Sequence, residues 1–394
     1  MSYYLIPKTT FLIHKHIDYI ETDKRPEPVV SNALSGYLYD IKKKIEEREI
    51  QWDSYKKYTN PYEYIHTVIP YKKKCIAKYK PLSRSYFKMI EIIHTFQLSQ
   101  SSKSITTFHL AEGPGGFIEA ISMVRKNKND RYIGMTLQDN VSDPNIPGWK
   151  KAELFLKQNP NVYIEPGVDN TGNILSLPNL LGCKESYGSS IELITADGGF
   201  DFSTDFNNQE VSIANLLFAQ TCFALTMQKQ GGTFILKIFD CFMQHTNDIL
   251  CILSSFYNKV FITKPHTSRY ANSEKYIICK EFLLPSCDRF FPFIKNAFSK
   301  MVLDTKTSTT QYVHRFLNFS IPLCFISKIE EYNAILGQQQ LENIHSTLLL
   351  IDNIHNQDKI DSLINTNIQK CILLCTKLGI PYNNFVLNTN IFLT

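Results

Sequence analysis

Several signatures are missing from this 394-residue chain, and each absence removes a class of protein. Its ten cysteines form no C-x-x-C pair and no H-E-x-x-H occurs, so a metal site is not expected. Reduced thiols are the simplest account of the cysteines; Cys371 and Cys375, four apart on an expected helix, read as a packed face. No apolar run reaches 18 residues and the opening MSYYLIPKTTFLIHKH lacks the apolar core of a leader. The expectation is an intracellular protein, not secreted and with no membrane contact. Neither G-x-G-x-x-G nor G-x-x-x-x-G-K-[ST] is present, which argues against a dinucleotide fingerprint and a phosphate-cradling loop. Charge of one sign is also scarce: 42 basic against 37 acidic residues leave +5, which permits a polyanionic partner without demanding one. An abundance of Ile, Asn, Lys and Tyr is what an AT-rich genome encodes, a viral one included.

What is there centres on Thr106–Phe117, TTFHLAEGPGGF. A short apolar run ends in Glu112, three glycines follow within four residues, and apolar residues resume at Phe117, Ile118, Ala120 and Ile121. That is strand, glycine turn, helix, the first βα crossing of a nucleotide-binding α/β sheet. Glycines let the backbone approach a ligand closely, and the helix start supplies free N–H groups. A compact acidic glycine turn of this kind suits S-adenosylmethionine, although a glycine turn after a strand is as often simple punctuation.

Strands and helices then alternate. Strands are expected at Thr106–Ala111, Tyr132–Leu137, Val162–Glu165, Ile191–Ala196, Thr233–Ile238, Val260–Lys264 and Tyr276–Lys280. Long helices are expected at Gln209–Gln228, stopped by Gly231-Gly232, and at Cys241–Tyr257. The pattern predicts a Rossmann-like, mostly parallel sheet of seven strands with its ligand at their carboxyl ends. Before it, residues 1–82 form an N-terminal extension. Val30–Ile50 reads as a helix with a solvated charged side, and Tyr55–Lys80 interleaves seven lysines with six tyrosines. Lysine attracts phosphate and tyrosine stacks bases, so that segment suits RNA; a basic, Tyr-rich surface loop is the plain alternative. A helix is expected over Pro81–Phe96, with Phe87, Ile90 and Ile93 as its buried stripe and Lys88 beside it. After residue 282, helical patterns at Phe290–Met301, Ile326–Leu348 and Ile360–Leu378 predict a helical C-terminal extension over 283–394, left open as a cover for the sheet or a surface for other proteins.

Four charged residues stand at positions where such a sheet places its chemistry: Lys88, Asp197, Lys237 and Glu274. Each has an ordinary reading, as a snorkelling lysine, a turn aspartate, an edge lysine and a cap. Together with NPYEYI (Asn60–Ile65), EGPGGF, GMTL (Gly134–Leu137), TADGGF, the turn from Asn207 to Glu210, GGTFILKIFD (Gly231–Asp240) and SRYANSEKYIIC (Ser268–Cys279), in this order, the chain resembles the RrmJ/FtsJ-type RNA 2′-O-ribose methyltransferases. The likeness is strongest to the cap-specific mRNA branch of eukaryotes and large DNA viruses, and it covers about Tyr55 to Lys280.

The resemblance implies a class I methyltransferase domain over 83–282 and carries the family's catalytic tetrad to Lys88, Asp197, Lys237 and Glu274. Lys237 would remove the proton of the ribose hydroxyl. A free lysine titrates near 10.4, roughly, and needs lowering for that task. Burial and Lys88 would lower it, while Asp197 and Glu274 would oppose them. The cofactor implied is S-adenosyl-L-methionine, along Ala111, Glu112, Gly113, Pro114, Gly115, Gly116 and Phe117, with Asp197 at its amino-acid end and Asn173 and Ile174 at its adenine end. Where general class I enzymes place an acid after the second strand, this chain has Thr136-Leu137-Gln138. Glu112 replaces a smaller residue common in the branch. For RNA the resemblance points to Lys56, Arg84, Asn207, Asn208, Gln209 and Asn272, with Ser268 and Arg269 as phosphate contacts; a structural ion pair is an equal reading of Arg269. The implied substrate is the capped 5′ end of mRNA at its first transcribed nucleotide, with other capping or transcription proteins as partners of the C-terminal helices. Cytoplasm, virion or viral factory would be the location for a viral protein, and the nucleus otherwise. Methylation of another nucleotide, of rRNA or of tRNA, and a non-catalytic RNA-binding subunit are the alternatives.

Overall fold

A computed structural model describes residues 1–99, 102–138, 148–199, 207–307, 312–353, 356–383 and 385. Its elements run β1 (Tyr3–Ile6), β2 (Ile17–Thr22), α1 (Asn32–Glu46), α2 (Glu49–Thr59), α3 (Ser85–Phe96), β3 (Thr106–Leu110), α4 (Gly116–Arg125), β4 (Arg131–Met135), α5 (Glu153–Gln158), β5 (Val162–Ile164), α6 (Leu177–Tyr187) and β6 (Ile191–Ala196). They continue with α7 (Gln209–Ser212), α8 (Ala214–Met227), β7 (Gln228–Ile238), α9 (Gln244–Phe256), β8 (Tyr257–Thr263), β9 (Lys275–Phe282), α10 (Phe291–Thr307), β10 (Tyr312–Leu317), α11 (Leu323–Asp352) and α12 (Gln357–Leu378).

The main sheet has the order β1-β8-β9-β7-β6-β3-β4-β5. Neighbours from β7 to β5 pair in parallel, and β9 lies antiparallel between β7 and β8. The seven expected strands are all present. An eighth, β1, adds antiparallel to the outer edge of β8, and the four-residue YYLI was too short to announce itself.

Strand period decides what each face receives. On β7, Phe234, Leu236 and Ile238 enter one apolar core, with α8 and α9, while Ile235 enters the other, with α3 and α4. Lys237 shares the parity of Ile235 and so faces the α3 side. β6 is buried at every position but Glu192, as a strand covered on both faces must be. α8 is buried all round for the same reason.

Three local expectations needed correction. The helix expected over Gln209–Gln228 is two pieces, α7 and α8, and ends at Met227; Gly231-Gly232 lies inside β7 instead of stopping a helix. The C-terminal extension is not wholly helical, because β10 pairs antiparallel with β2 from the N-terminal extension in a separate ribbon. Of the tyrosines in Tyr55–Lys80, Tyr64 is buried, and Tyr58, Tyr62 and Tyr79 pack against the α3-side core. Their rings are core material; Tyr71 stands out in solvent with Lys72, Lys73 and Lys74. No helix among the described residues is long and apolar enough to cross a membrane.

Candidate active site

The carboxyl ends of β3, β6 and β7 converge with the start of β9 and the first turn of α3, and this brings the four charged residues together. The β7–β9 register sets Lys237 opposite Tyr276. Lys237 Nζ donates to the Asp197 carbonyl oxygen at 2.7 Å and lies 3.4 Å from Asp197 Oδ1. The Tyr276 hydroxyl donates to that same Oδ1 at 2.8 Å, which fixes the carboxylate. Lys88 Nζ donates to Glu274 Oε2 at 2.7 Å, and Ser268 Oγ donates to Oε1 at 2.7 Å. The Lys88 ammonium also stands 6.0 Å from the centre of the Tyr276 ring, so Tyr276 lies between the two ion pairs.

Two cations and two anions leave this buried group neutral, the condition under which charge is tolerated away from water. Burial alone would push the Glu274 carboxyl up, but Lys88 and then Lys237 overcome it and hold the group well below the usual carboxylate range. Burial, reinforced by Asp197 and Glu274, drives the Tyr276 phenol far above its ordinary value, so it stays a donor. Tyr276 was not among the expected residues. Its spacing two residues after Glu274 hints at a shared side, but its meeting with Asp197 depends on the β9–β7 register.

The turn carrying Glu274 has its own support. Lys264, just past β8, donates to the Glu274 carbonyl at 2.9 Å and also to that of Asn272. Its burial, with help from Lys275, lowers its pKa to about 7. Lys275 Nζ reaches Asp240 Oδ1 and the Ser273 carbonyl, each at 3.0 Å.

On the cofactor side, Ala111 and Gly115 have φ of 52° and 108°. The second is a conformation that glycine adopts without strain. Glu112 turns inward: its Oε1 accepts the N–H groups of Phe117 at 2.7 Å and Ile118 at 3.0 Å, two of the unpaired donors that open α4. The residue that looked foreign to the motif is therefore a helix cap. Burial, with Asp197 adding repulsion, raises its carboxyl to about 8. Asp197 itself follows β6 beside Gly198, whose N–H donates to Gln220 Oε1 at 3.0 Å.

Two buried donors near this turn, Gln138 Nε2 and Trp149 Nε1, have no partner among the described residues. Trp149 lies against Gly115, and Gln138 follows β4. A turn free of side chains at Gly115 and unpaired N–H donors beside it fit the ring nitrogens and hydroxyls of an adenosine. The stretch 167–174 is tied to the same edge, because Gln138 N–H donates to the Thr171 carbonyl at 2.8 Å. Within it, Asn173 Oδ1 accepts the Leu175 N–H at 2.9 Å and Ile174 is buried in the core. Phe200, the last residue of TADGGF, lies outside the described residues.

The residues expected to meet RNA divide into groups. Ser268, Gln209 and Asn272 lie about the Glu274 turn: Ser268 on its carboxylate, Gln209 accepting from Ser273, and Asn272 through its carbonyl on Lys264. Arg84 and Arg269 converge instead on Glu63, a fully buried carboxylate in NPYEYI. Arg269 makes two bonds to it, at 2.6 and 3.0 Å, and Arg84 lies 3.7 Å away while donating to the Thr267 carbonyl. Despite burial, these guanidiniums hold Glu63 far below the usual carboxylate range. Lys56 pairs with Asp53 on its own helix, Asn208 accepts from Arg25, and Asn207 lines a cavity beside the site.

A charged, buried lysine–acid pair of pairs is thus set where the parallel sheet of a Rossmann-like fold opens, beside a glycine turn. Residues 81–282 match the FtsJ-like methyltransferase family, and the chain belongs to it. S-adenosylmethionine is the methyl donor this membership implies. Over 350 residues the chain is 25% identical to the mouse cap-specific mRNA (nucleoside-2′-O-)-methyltransferase 2, an alignment that covers 85% of this chain and 44% of the relative. It is 28% identical to the Trypanosoma brucei brucei cap-specific mRNA (nucleoside-2′-O-)-methyltransferase 1 over 64% of this chain and 66% of that one. The identity rises to 37% over 185 residues with the methyltransferase 1 of Dictyostelium discoideum, covering 43% of this chain and 24% of the relative. The chain thus spans less than half the length of the mouse relative. A ribosomal RNA methyltransferase structure from Plasmodium falciparum superposes with a TM-score of 0.36 at 25% identity, over 51% of this chain and 98% of that one.

Proposed function

We propose that this chain transfers a methyl group from S-adenosylmethionine to the ribose 2′-hydroxyl of the first transcribed nucleotide of capped mRNA, with residues 83–282 as the catalytic unit. The observation that carries the reading is the assembled tetrad, Lys237 on Asp197 and Lys88 on Glu274, in a family whose named relatives act on capped mRNA. The cofactor supplies a methyl group made electrophilic by its sulfonium.

Lys237 acts as base in its neutral form. Two N–H bonds then point at the Asp197 carbonyl and carboxylate, both acceptors, and the lone pair is left for the hydroxyl proton. With the donor bound, the ribose hydroxyl would give its proton to Lys237 Nζ as O2′ takes the methyl group and the neutral thioether is left as leaving group. Asp197 stabilises the resulting ammonium, with Tyr276 holding its carboxylate in place. Lys88 and Glu274 keep the neighbouring charge balanced and position the loop that bears Ser268. Orientation of the hydroxyl against the methyl supplies a large share of the rate. The exposed lysines around Tyr71 give the RNA phosphate contacts.

The test is incubation of capped and uncapped RNA with labelled cofactor, followed by mapping of the modified nucleotide. Label on the first transcribed nucleotide of capped RNA alone is the expected result. Transfer that ignores the cap, or full activity in Lys237→Ala, contradicts it.

A further inference from the structure

Three successive carbonyls at the Glu274 turn are gripped by two buried lysines. Lys264 Nζ donates to the carbonyls of Asn272 and Glu274, the latter at 2.9 Å. Lys275 Nζ donates to the Ser273 carbonyl at 3.0 Å and spends its other N–H bonds on the Phe239 carbonyl and Asp240 Oδ1, also at 3.0 Å. A buried ammonium needs an anion beside it, and Asp240 is the carboxylate that Lys275 touches. Asp240 is therefore where the support of the turn meets the rest of the molecule.

The second cation on Asp240 is Lys42, whose Nζ lies 3.3 Å from Oδ2. It comes from α1, well before the residues 81–282 that match the family. The charged side of this helix was expected in solvent, yet Lys42 shares a buried stripe with Leu38 and Ile45. Burial pushes the Asp240 carboxyl up, but Lys42 and then Lys275 overcome it and hold the group below its ordinary value. Glu210, a nearby buried acid, is no substitute: its two oxygens accept the N–H groups of Phe242 and Met243 at 3.1 and 2.9 Å. Contacts outside the tetrad fix Lys42 in place. The Val29 and Val30 N–H groups ahead of α1 donate to the Phe242 carbonyl at 2.9 and 3.2 Å. Leu34 of α1 packs over Gly337 of α11, where a Cβ would come within 2.7 Å of it.

We infer that Lys42 is a positioning residue for methyl transfer: through Asp240 and Lys275 it fixes the turn that carries Glu274. Helix α1 of the N-terminal extension thereby belongs to the framework of the reacting groups. The inference rests on the proposed function, because the rate it concerns is that of the proposed reaction. Asp240 also lines a cavity of about 550 Å³ that opens along α1. Without Lys42 its carboxylate would turn towards water there, and Lys275 and the Ser273 carbonyl would follow. A shift of a few tenths of an ångström in Glu274 slows a reaction that depends on orientation. Lys42 contacts none of the four charged residues, so the loss falls on the transfer step and not on binding.

The test compares the full chain as wild type, Lys42→Met and Lys42→Arg, with circular dichroism as the check of folding. Single-turnover methyl transfer to capped RNA, the KM for that RNA and calorimetric cofactor affinity are measured. Hydrogen–deuterium exchange of the segment 264–276 gives a readout that needs no activity. Lys42→Met should lower single-turnover transfer by about tenfold, leave the KM and the cofactor affinity within twofold, and speed exchange in 264–276. Lys42→Arg should restore both rate and exchange, since the cavity has room for a guanidinium that keeps the charge on Asp240. Lys42→Gln, which keeps a donor and loses the charge, takes the place of Lys42→Met if that variant does not fold. Unchanged rate and exchange in the folded neutral variant, or an equal loss in Lys42→Arg, overturns the inference. A loss confined to the RNA KM also overturns it, by placing Lys42 on the substrate path. A wild type without methyl transfer overturns the proposed function, and the exchange data then decide alone whether Lys42 holds the Glu274 turn.

Discussion

Lys88 and Glu274 meet at 2.7 Å although 186 residues separate them, and both are almost wholly buried. Glu274→Gln removes the anion and leaves Lys88 as a buried, uncompensated cation, which should destabilise the fold by about 3–5 kcal/mol. The double variant Lys88→Met/Glu274→Gln should recover part of that loss. Urea denaturation of the three proteins checks both statements. The pH dependence has a definite sign. Glu274 titrates lower in the folded state than in the unfolded chain, so its contribution is complete above the unfolded value and lost as pH falls towards the folded one. The gap between wild type and Glu274→Gln should therefore be constant from neutral to mildly alkaline pH and narrow in acid.

Glu112 predicts the opposite slope. Its folded carboxyl is raised to about 8, against roughly 4.3 in an unfolded chain. Between those values the folded state holds the extra proton, so stability falls as pH rises, by at most about 1.4 kcal/mol per unit. Glu210, raised to about 7, adds in the same direction. Glu112→Gln keeps an oxygen for the Phe117 and Ile118 N–H groups but cannot ionise. Its denaturation midpoint should decline less between pH 5 and 8 than that of the wild type; parallel pH profiles would show that Glu112 does not titrate in this range.

The catalytic assignment separates binding from chemistry. Lys237→Ala should lower single-turnover methyl transfer by about 10²–10⁴-fold while leaving S-adenosylmethionine affinity within a few-fold, as expected on loss of a general base. Gly199→Ala is the subtler variant. A Cβ there would stand 3.1 Å from Lys237 Nζ, close enough to displace the amine by a few tenths of an ångström without disturbing the backbone. Folding should be unaffected and turnover reduced by roughly tenfold, in keeping with the sensitivity of such reactions to misplacement. Stopped assays with labelled cofactor, read alongside calorimetric cofactor binding, check both variants.

The sheet was legible because its strands are short-range patterns, whereas the four charged residues were carried over by the family resemblance and are brought together only by the fold. β6 and β7 are bounded apolar runs, and Asp197 and Lys237 lie at or near their ends, where a parallel sheet opens. The partners that tune these groups were harder to see. Tyr276 reaches Asp197 only through the antiparallel register of β9 on β7, and no local composition specifies that register. Arg84 and Arg269 carry the same charge as an RNA-binding arginine, and their commitment to Glu63 depends on three segments folding together. The tyrosines of Tyr55–Lys80 show the limit of composition: the same Lys–Tyr interleaving describes a stacking platform and a wall whose rings point inward, and only the packing of Tyr64 against α3 and α12 distinguishes them. The strands β1 and β10 were missed because their partners, β8 and β2, lie more than two hundred residues away in the chain.

The two extensions depend on each other for a core. Ile45 and Trp52 from the N-terminal part pack with Ile344, Leu348 and Ile351 of α11 in an apolar cluster separate from the cores of the main sheet. Polar contacts flank it: Thr59 Oγ1 lies 2.6 Å from Thr347 Oγ1, Asn343 Nδ2 donates to the Thr59 carbonyl at 3.0 Å, and Asn367 Nδ2 on α12 donates to the Tyr58 carbonyl at 2.7 Å. These bonds hold the segment that leads into Glu63, and hence the two arginines that end near the Glu274 loop. Trp52→Ala should leave a cavity and cost about 3–5 kcal/mol, measurable by chemical denaturation. Because Trp52 touches none of the tetrad, activity per folded molecule at low temperature should be nearly unchanged, while the temperature at which activity is lost should drop. If instead activity per folded molecule collapses at low temperature with the fold intact, the α2–α11 contact is part of the substrate path.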